Sequence, residues 1–137
     1  MSFRYNMSPV QLYEQELKRF TQTMGTGLTY SNTLHEMGLR EFPDRWKGIF
    51  MVDEMYPHRG YSIVNTDPVG QPGEHWVAVA DGMLYDSFGR ANLINNEVLK
   101  DTELDAEQLL EEENCGQRCL AWLSVHYQLG PQAAQSI

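Results

Sequence analysis

The stretch Asn114-Cys115-Gly116-Gln117-Arg118-Cys119-Leu120-Ala121-Trp122-Leu123 reads as the opening of a buried helix. Cys119, Trp122, Leu123 and His126 recur at helical spacing on one face, with Leu120 and Tyr127 flanking them. Asn114 stands at the N-cap, and Gly130-Pro131 is a stop signal. A thiol at a helix N-terminus feels the positive end of the helix dipole, which favours the reactive thiolate. Cys115 has that position, whereas Cys119 should face the core. A lone cysteine on such a helix would more simply be structural. Here a set of chemically matched residues precedes it.

Upstream, Gly73-Glu74-His75-Trp76-Val77-Ala78-Val79-Ala80 places a histidine at the start of an apolar strand. Asp81-Gly82 is a hairpin pair, and Met83-Leu84-Tyr85-Asp86-Ser87-Phe88 runs back to Gly89. Two antiparallel strands so joined bring His75 and Asp86 to the same edge of a sheet. Gln108 lies shortly before Cys115. The order His75, Asp86, Gln108, Cys115 is what a thiol hydrolase needs. The imidazole deprotonates the thiol and pairs with the thiolate. The carboxylate orients the imidazole, and the amide N–H, with the backbone N–H of Cys115, binds an oxyanion. Asn114 and Gln117 are the alternative amides for that last role.

These words resemble the adenovirus maturation protease family, the adenain-type cysteine proteases. The resemblance runs from about Phe42 to Leu123. It rests on Ile63-Val64-Asn65-Thr66, Gly73-x-His75-Trp76-x-Ala78, Asp86-x-Phe88-Gly89, Gln108 and Cys115-Gly116-x-x-Cys119. The SUMO-specific proteases share the same order of residues. The adenovirus pattern has glutamate where this chain has Asp86, and the SUMO-protease pattern has aspartate. The resemblance implies an α+β fold whose central, mostly antiparallel sheet packs on a helix carrying the nucleophile at its N-terminus, as in adenain and papain-like proteases. It implies a viral-type cysteine endopeptidase that cleaves capsid or core precursors, with small residues near the cut. It also implies a location in the virion and the host cell, in cytoplasm or nucleus. A deconjugating protease acting on ubiquitin or SUMO tails is the alternative. A non-catalytic binding module on the same fold is the alternative from another class.

Composition sets bounds on these readings. The chain has 137 residues, which suits one peptidase domain with loose ends at 1–7 and 131–137. It is 42% apolar with three tryptophans, the composition of a folded globule. No apolar run approaches the roughly 20 residues of a membrane span, and the N-terminus lacks a signal-peptide core. The expectation is a monomer that is not secreted and does not engage a membrane. The formal charge of −9 speaks against nucleic acid as a partner, and so against the DNA cofactor of the family it resembles. That family is also activated by a disulfide-linked peptide. Cys115 and Cys119 are the chain's two cysteines, and neither reads as an exposed thiol for such a link. Cys115, Cys119 and His126 lack the paired short spacings of a zinc site, so no metal or other cofactor is expected.

Elsewhere, Ser8-Pro9 opens an amphipathic helix to about Thr23, with Val10, Tyr13, Leu17 and Phe20 inward and Glu16 among its exposed residues. Thr33 to Met37 is a short helix that Gly38 closes. Residues 48–52 and 61–66 are strands, and 67–73 is a loop delivering the chain to His75. Ala91 to Lys100 is a short helix. His35 and His58 are structural or surface residues. Glu111-Glu112-Glu113 is a solvated acidic run that opposes a thiolate at Cys115, so pairing with His75 has to carry the activation. The same run would suit a basic segment of substrate or partner.

Overall fold

The computed structural model describes residues 7–56, 58–67, 75–90, 99–103, 105–109 and 111–137. The chain runs α1 (Pro9–Met24), α2 (Ser31–Glu41), β1 (Trp46–Met51), β2 (Tyr61–Asn65), β3 (Trp76–Ala80), β4 (Met83–Tyr85), β5 (Lys100–Asp101), α3 (Cys115–Leu129) and α4 (Pro131–Gln135). The fold is α+β. One five-stranded sheet has the order β1-β2-β3-β4-β5. It is mixed, not mostly antiparallel: β1 with β2 and β4 with β5 are parallel, and the two central pairings are antiparallel.

The central hairpin follows from local chemistry. Asp81 and Gly82 both have positive φ, at 47° and 88°, as a two-residue turn matched to strand twist requires. β2 and β3 are buried along their whole length, so both faces of the sheet are covered. Alternation divides their side chains. Tyr61, Ile63, Trp76, Ala78, Ala80 and Tyr85 join the main core with α1 and α3. Val64, Val77, Val79 and Leu84 form a second cluster on the opposite face, beneath Phe50, Val52, Met55 and Leu99.

α3 is buried around its circumference from Cys115 to His126, not along one stripe. Trp122 is fully buried, stacks on Tyr85 at 5.3 Å and donates its indole N–H to the Ala134 carbonyl. That bond explains why residues 131–137, expected as a loose tail, contain a helix: Pro131 starts it, and Ala134 and Ile137 are buried. Truncating a fully buried tryptophan of this kind costs about 3–5 kcal/mol.

Three local expectations change in the same way. α2 passes through Gly38 to Glu41, because the Trp46 ring lies where a Cβ on Gly38 would be, 2.3 Å away. The glycine serves packing, not helix termination. In α1, capped by a reciprocal Ser8–Gln11 box, Leu12 is fully buried while Val10 is exposed. Glu16 is 1% exposed, not on the exposed side, and Arg19, Ser124 and Gln128 satisfy its carboxylate. Of the loop expected at 67–73, residues 68–73 lie outside the described residues, as do residues 91–98 of the helix expected at 91–100; Lys100, the expected end of that helix, begins β5 instead. Among the described residues no helix is long and apolar enough to cross a membrane.

Candidate active site

His75 immediately precedes β3 and Asp86 immediately follows β4, so the hairpin turn sets both at one edge of the sheet. The His75 Nε2–Asp86 Oδ1 distance is 2.6 Å. Asp86 is a crowded acceptor. It also takes the backbone N–H groups of Phe88 and Arg90 and the Arg90 Nε at 2.9 Å. Burial alone would raise its carboxyl, but these donors outweigh burial and hold it below the usual carboxylate range.

With Nε2 occupied, Nδ1 is the ring nitrogen left for Cys115, whose thiol helps to raise the imidazole. Burial pulls the imidazole down. The bond to Asp86, the Cys115 thiol and the charges of the same two groups overcome it, so His75 is raised above its ordinary value. Phe88 stacks on the ring at 4.9 Å, and Trp76 is tied by its indole N–H to the Thr29 carbonyl. Trp76 is thus a core aromatic against the α1–α2 loop.

Cys115 begins α3 and is 3% exposed. Both cysteines are free and buried. Cys119, one turn on, is pushed well above its ordinary value by burial, with the Cys115 and Asp86 charges adding to the effect. It is a core thiol. Gly116 is tightly placed: a Cβ there would lie 3.1 Å from Leu34 and 3.2 Å from Thr29. The α1–α2 loop therefore closes on the first turn of α3, where Gln117 Nε2 donates to the carbonyls of Gly25 and Gly27. That use removes Gln117 from the oxyanion role. Asn114 occupies the N-cap position without a capping bond. Its Oδ1 accepts from Arg118 Nε instead.

Gln108 is 4% exposed and joins the cluster at one remove. Its Oε1 accepts from the Ser87 hydroxyl, and its Nε2 donates to the Glu112 carbonyl at 2.7 Å. The segment around it is irregular, not helical. Gly89 permits the approach: its φ is 70°, and a Cβ would sit 2.8 Å from the Asp105 backbone. The glycine of the Asp86-x-Phe88-Gly89 word is thus a contact point for the Gln108 loop.

Sequence reasoning missed Ser87, Arg90 and Arg118. Ser87 looked like an ordinary strand residue. Arg90 is the cation beside Asp86. Arg118, buried one turn into α3, donates to the Tyr13 hydroxyl and to Glu112 as well as to Asn114. It neutralises part of the acidic run before Cys115. Glu107 lies in the same region and is pushed up to about 8, chiefly by burial, with the Asp105 charge adding to it. His35 and His58 lie apart from the cluster: His35 accepts from the Trp46 indole, and His58 Nδ1 meets the Tyr56 carbonyl. Among the described residues no group of three or more His, Cys, Asp or Glu side chains is placed to hold a metal ion.

The arrangement has the elements of acyl transfer: a thiol at a helix N-terminus, an imidazole that this thiol helps to raise, a carboxylate bonded to the imidazole, and a buried amide held by the residue after that carboxylate. No protein-family model matches the chain, and no curated protein or solved structure matches it.

Proposed function

We propose that the chain is a cysteine-type endopeptidase with Cys115 as nucleophile, His75 as general base and acid, Asp86 as the orienting carboxylate and Gln108 as an oxyanion donor. The observation that carries this reading is a buried His75 bonded to Asp86 at 2.6 Å and raised by that carboxylate together with the Cys115 thiol at the start of α3. Nothing in a plain structural role asks for a histidine raised in this way beside a helix N-terminal thiol. In the reaction, His75 takes the thiol proton and the Cys115 sulfur adds to the substrate carbonyl carbon. The carbonyl electron pair moves to oxygen. When the oxyanion collapses, the C–N bond breaks and His75 gives its proton to the leaving amine. Water then attacks the thioester as His75 takes its proton. The C–S bond breaks, the acid leaves, and the thiolate–imidazolium pair is restored. Within this reading the fold is of the adenain type, and the substrates are viral capsid or core precursors with small residues near the cut.

The decisive test is alkylation of Cys115 by iodoacetamide across pH, in the wild type and in His75→Ala, followed by mass spectrometry at each cysteine. Labelling of Cys115 that stays rapid below the ordinary thiol range of about pH 8.5, and that is lost in His75→Ala, is the expected result. Identical slow labelling in both proteins would retire the peptidase reading and leave a binding module. Given rapid labelling, cleavage of short Gly-containing peptides in preference to ubiquitin-like fusions separates precursor processing from deconjugation.

A further inference from the structure

We infer that Ser87 is a positioning residue for the oxyanion donor: its hydroxyl, and its carbonyl, set the direction in which Gln108 presents its free amide N–H. This inference rests on the acyl-transfer reading of the Cys115 site. The terminal torsion of a glutamine is broad and roughly two-fold, so hydrogen bonds alone choose which end of the amide points where. At Gln108 both ends are chosen. The Glu112 carbonyl can only accept, so the group 2.7 Å from it has to be Nε2. Oε1 then lies on the opposite side, where the Ser87 hydroxyl donates to it. With Oε1 and one N–H engaged, the amide plane is fixed. The second N–H takes a single direction, and among the described residues no acceptor occupies it.

Ser87 also holds the loop itself. Its carbonyl accepts the backbone N–H groups of Glu107 at 2.9 Å and Gln108 at 3.0 Å. It is 1% exposed, so water does not replace its hydroxyl. It directly follows Asp86. One strand end thus carries the group that orients the base and the group that orients the oxyanion donor. The two halves of the site are placed by adjacent residues, with Gly89 allowing the loop to come close enough.

The test compares two reactions of the same thiol. Alkylation by iodoacetamide displaces iodide and forms no oxyanion. Acylation by p-nitrophenyl acetate passes through a tetrahedral oxyanion before p-nitrophenolate leaves. The ratio of the two rates reads the oxyanion hole apart from the thiolate. Ser87→Ala should lower acylation roughly 10-fold and Gln108→Ala roughly 100-fold, with alkylation unchanged in both. The double variant should be no slower in acylation than Gln108→Ala alone, because Ser87 acts through Gln108. Ser87→Thr, which keeps the hydroxyl, should restore the wild-type ratio. Ser87→Cys, close in size but a weak donor, gives the same reading if the alanine variant does not fold. An unchanged ratio in Ser87→Ala, or losses that multiply in the double variant, would overturn the inference while the peptidase reading stands. Slow alkylation that is indifferent to His75→Ala would instead remove that reading, and this inference with it.

Discussion

Two buried histidines sit at opposite ends of α3, and they differ in their partners. His75 at the N-terminal end is 8% exposed and His126 near the C-terminal end is 6% exposed. His75 has a carboxylate on Nε2, and that group and the Cys115 thiol raise it. His126 Nδ1 is hydrogen-bonded to the Tyr61 hydroxyl at 2.6 Å, and the ring lies beside Trp122 and is lowered, with burial the main cause. The nearby Asp81 charge raises it without overcoming burial, and Arg45 adds to the lowering. Similar burial therefore gives a histidine disposed to carry a proton at one end and a neutral packing residue at the other. The partners make the difference, the hydrogen-bonded carboxylate first and the Cys115 thiol with it, not the depth.

The sharpest way to break this comparison is Asp86→Asn. The substitution keeps size and an acceptor but removes the charge behind His75. Acyl transfer by Cys115 should fall roughly 10²–10⁴-fold. The onset of rapid Cys115 alkylation should move to higher pH, because an imidazole that holds its proton less firmly supports the thiolate less. The stability margin of the wild type over the variant should also shrink in acid. Asp86 is held below its ordinary value, so its contribution is present above about pH 4 and fades as pH falls through the folded value. An alkylation onset that does not move would show that Asp86 is not what separates His75 from His126.

His126→Phe is the converse change and should be smaller. It leaves the Tyr61 hydroxyl buried without its acceptor, which costs about 1–3 kcal/mol of stability, measurable by urea unfolding. The acylation rate should stay at the wild-type value. The pH signs at the two ends are opposite. His126 is lowered on folding, so its contribution is intact above the unfolded value of about 6.5 and is lost as pH falls below it. His75 is raised, so its contribution is present below about 6.5 and is lost as pH rises through the folded value. The deficit of His126→Phe relative to wild type should therefore shrink in acid. A large loss of acylation in this variant would mean that the two ends of α3 are coupled, and would break the comparison.

The site was more legible in the sequence than the fold around it, for a physical reason. Its parts rest on short-range signals. Asp81-Gly82 specifies a hairpin, so His75 and Asp86 had to meet at its open end. Gly130-Pro131 ended α3 where the sequence placed the stop. What escaped depends on partners far along the chain. The parallel pairing of β1 with β2 is set by which edge β1 docks on, and no local word records it. Gly38 looked like a helix stop because its reason, the Trp46 ring, lies on the next element. Glu16 looked exposed because its partners Ser124 and Gln128 are more than a hundred positions away. The α4 helix follows from an indole bond to Ala134 that composition does not announce. Ser87 escaped for the same reason, since its meaning is the distant Gln108.

The comparison can be carried from histidines to carboxyls, where the expected effect is smallest. Asp86 is held down by His75, Arg90 and two backbone N–H groups. Glu107 is pushed up to about 8, burial being the main cause, although Tyr85 and Arg118 oppose it. In the unfolded chain Glu107 ionises near pH 4.5, whereas in the folded protein it keeps its proton until about pH 8. Over that interval the unfolded state binds fewer protons, so stability from this group declines as pH rises and levels off above the folded value. Glu107→Gln keeps the shape and cannot ionise. The variant should match the wild type near pH 4 and become the more stable of the two by pH 8, with a modest margin because the side chain is only partly screened from water. Urea unfolding at the two pH values measures it. A margin that stays constant with pH would mean that Glu107 ionises in place like an exposed carboxyl. Burial without a firm cationic partner would then not be what distinguishes it from Asp86.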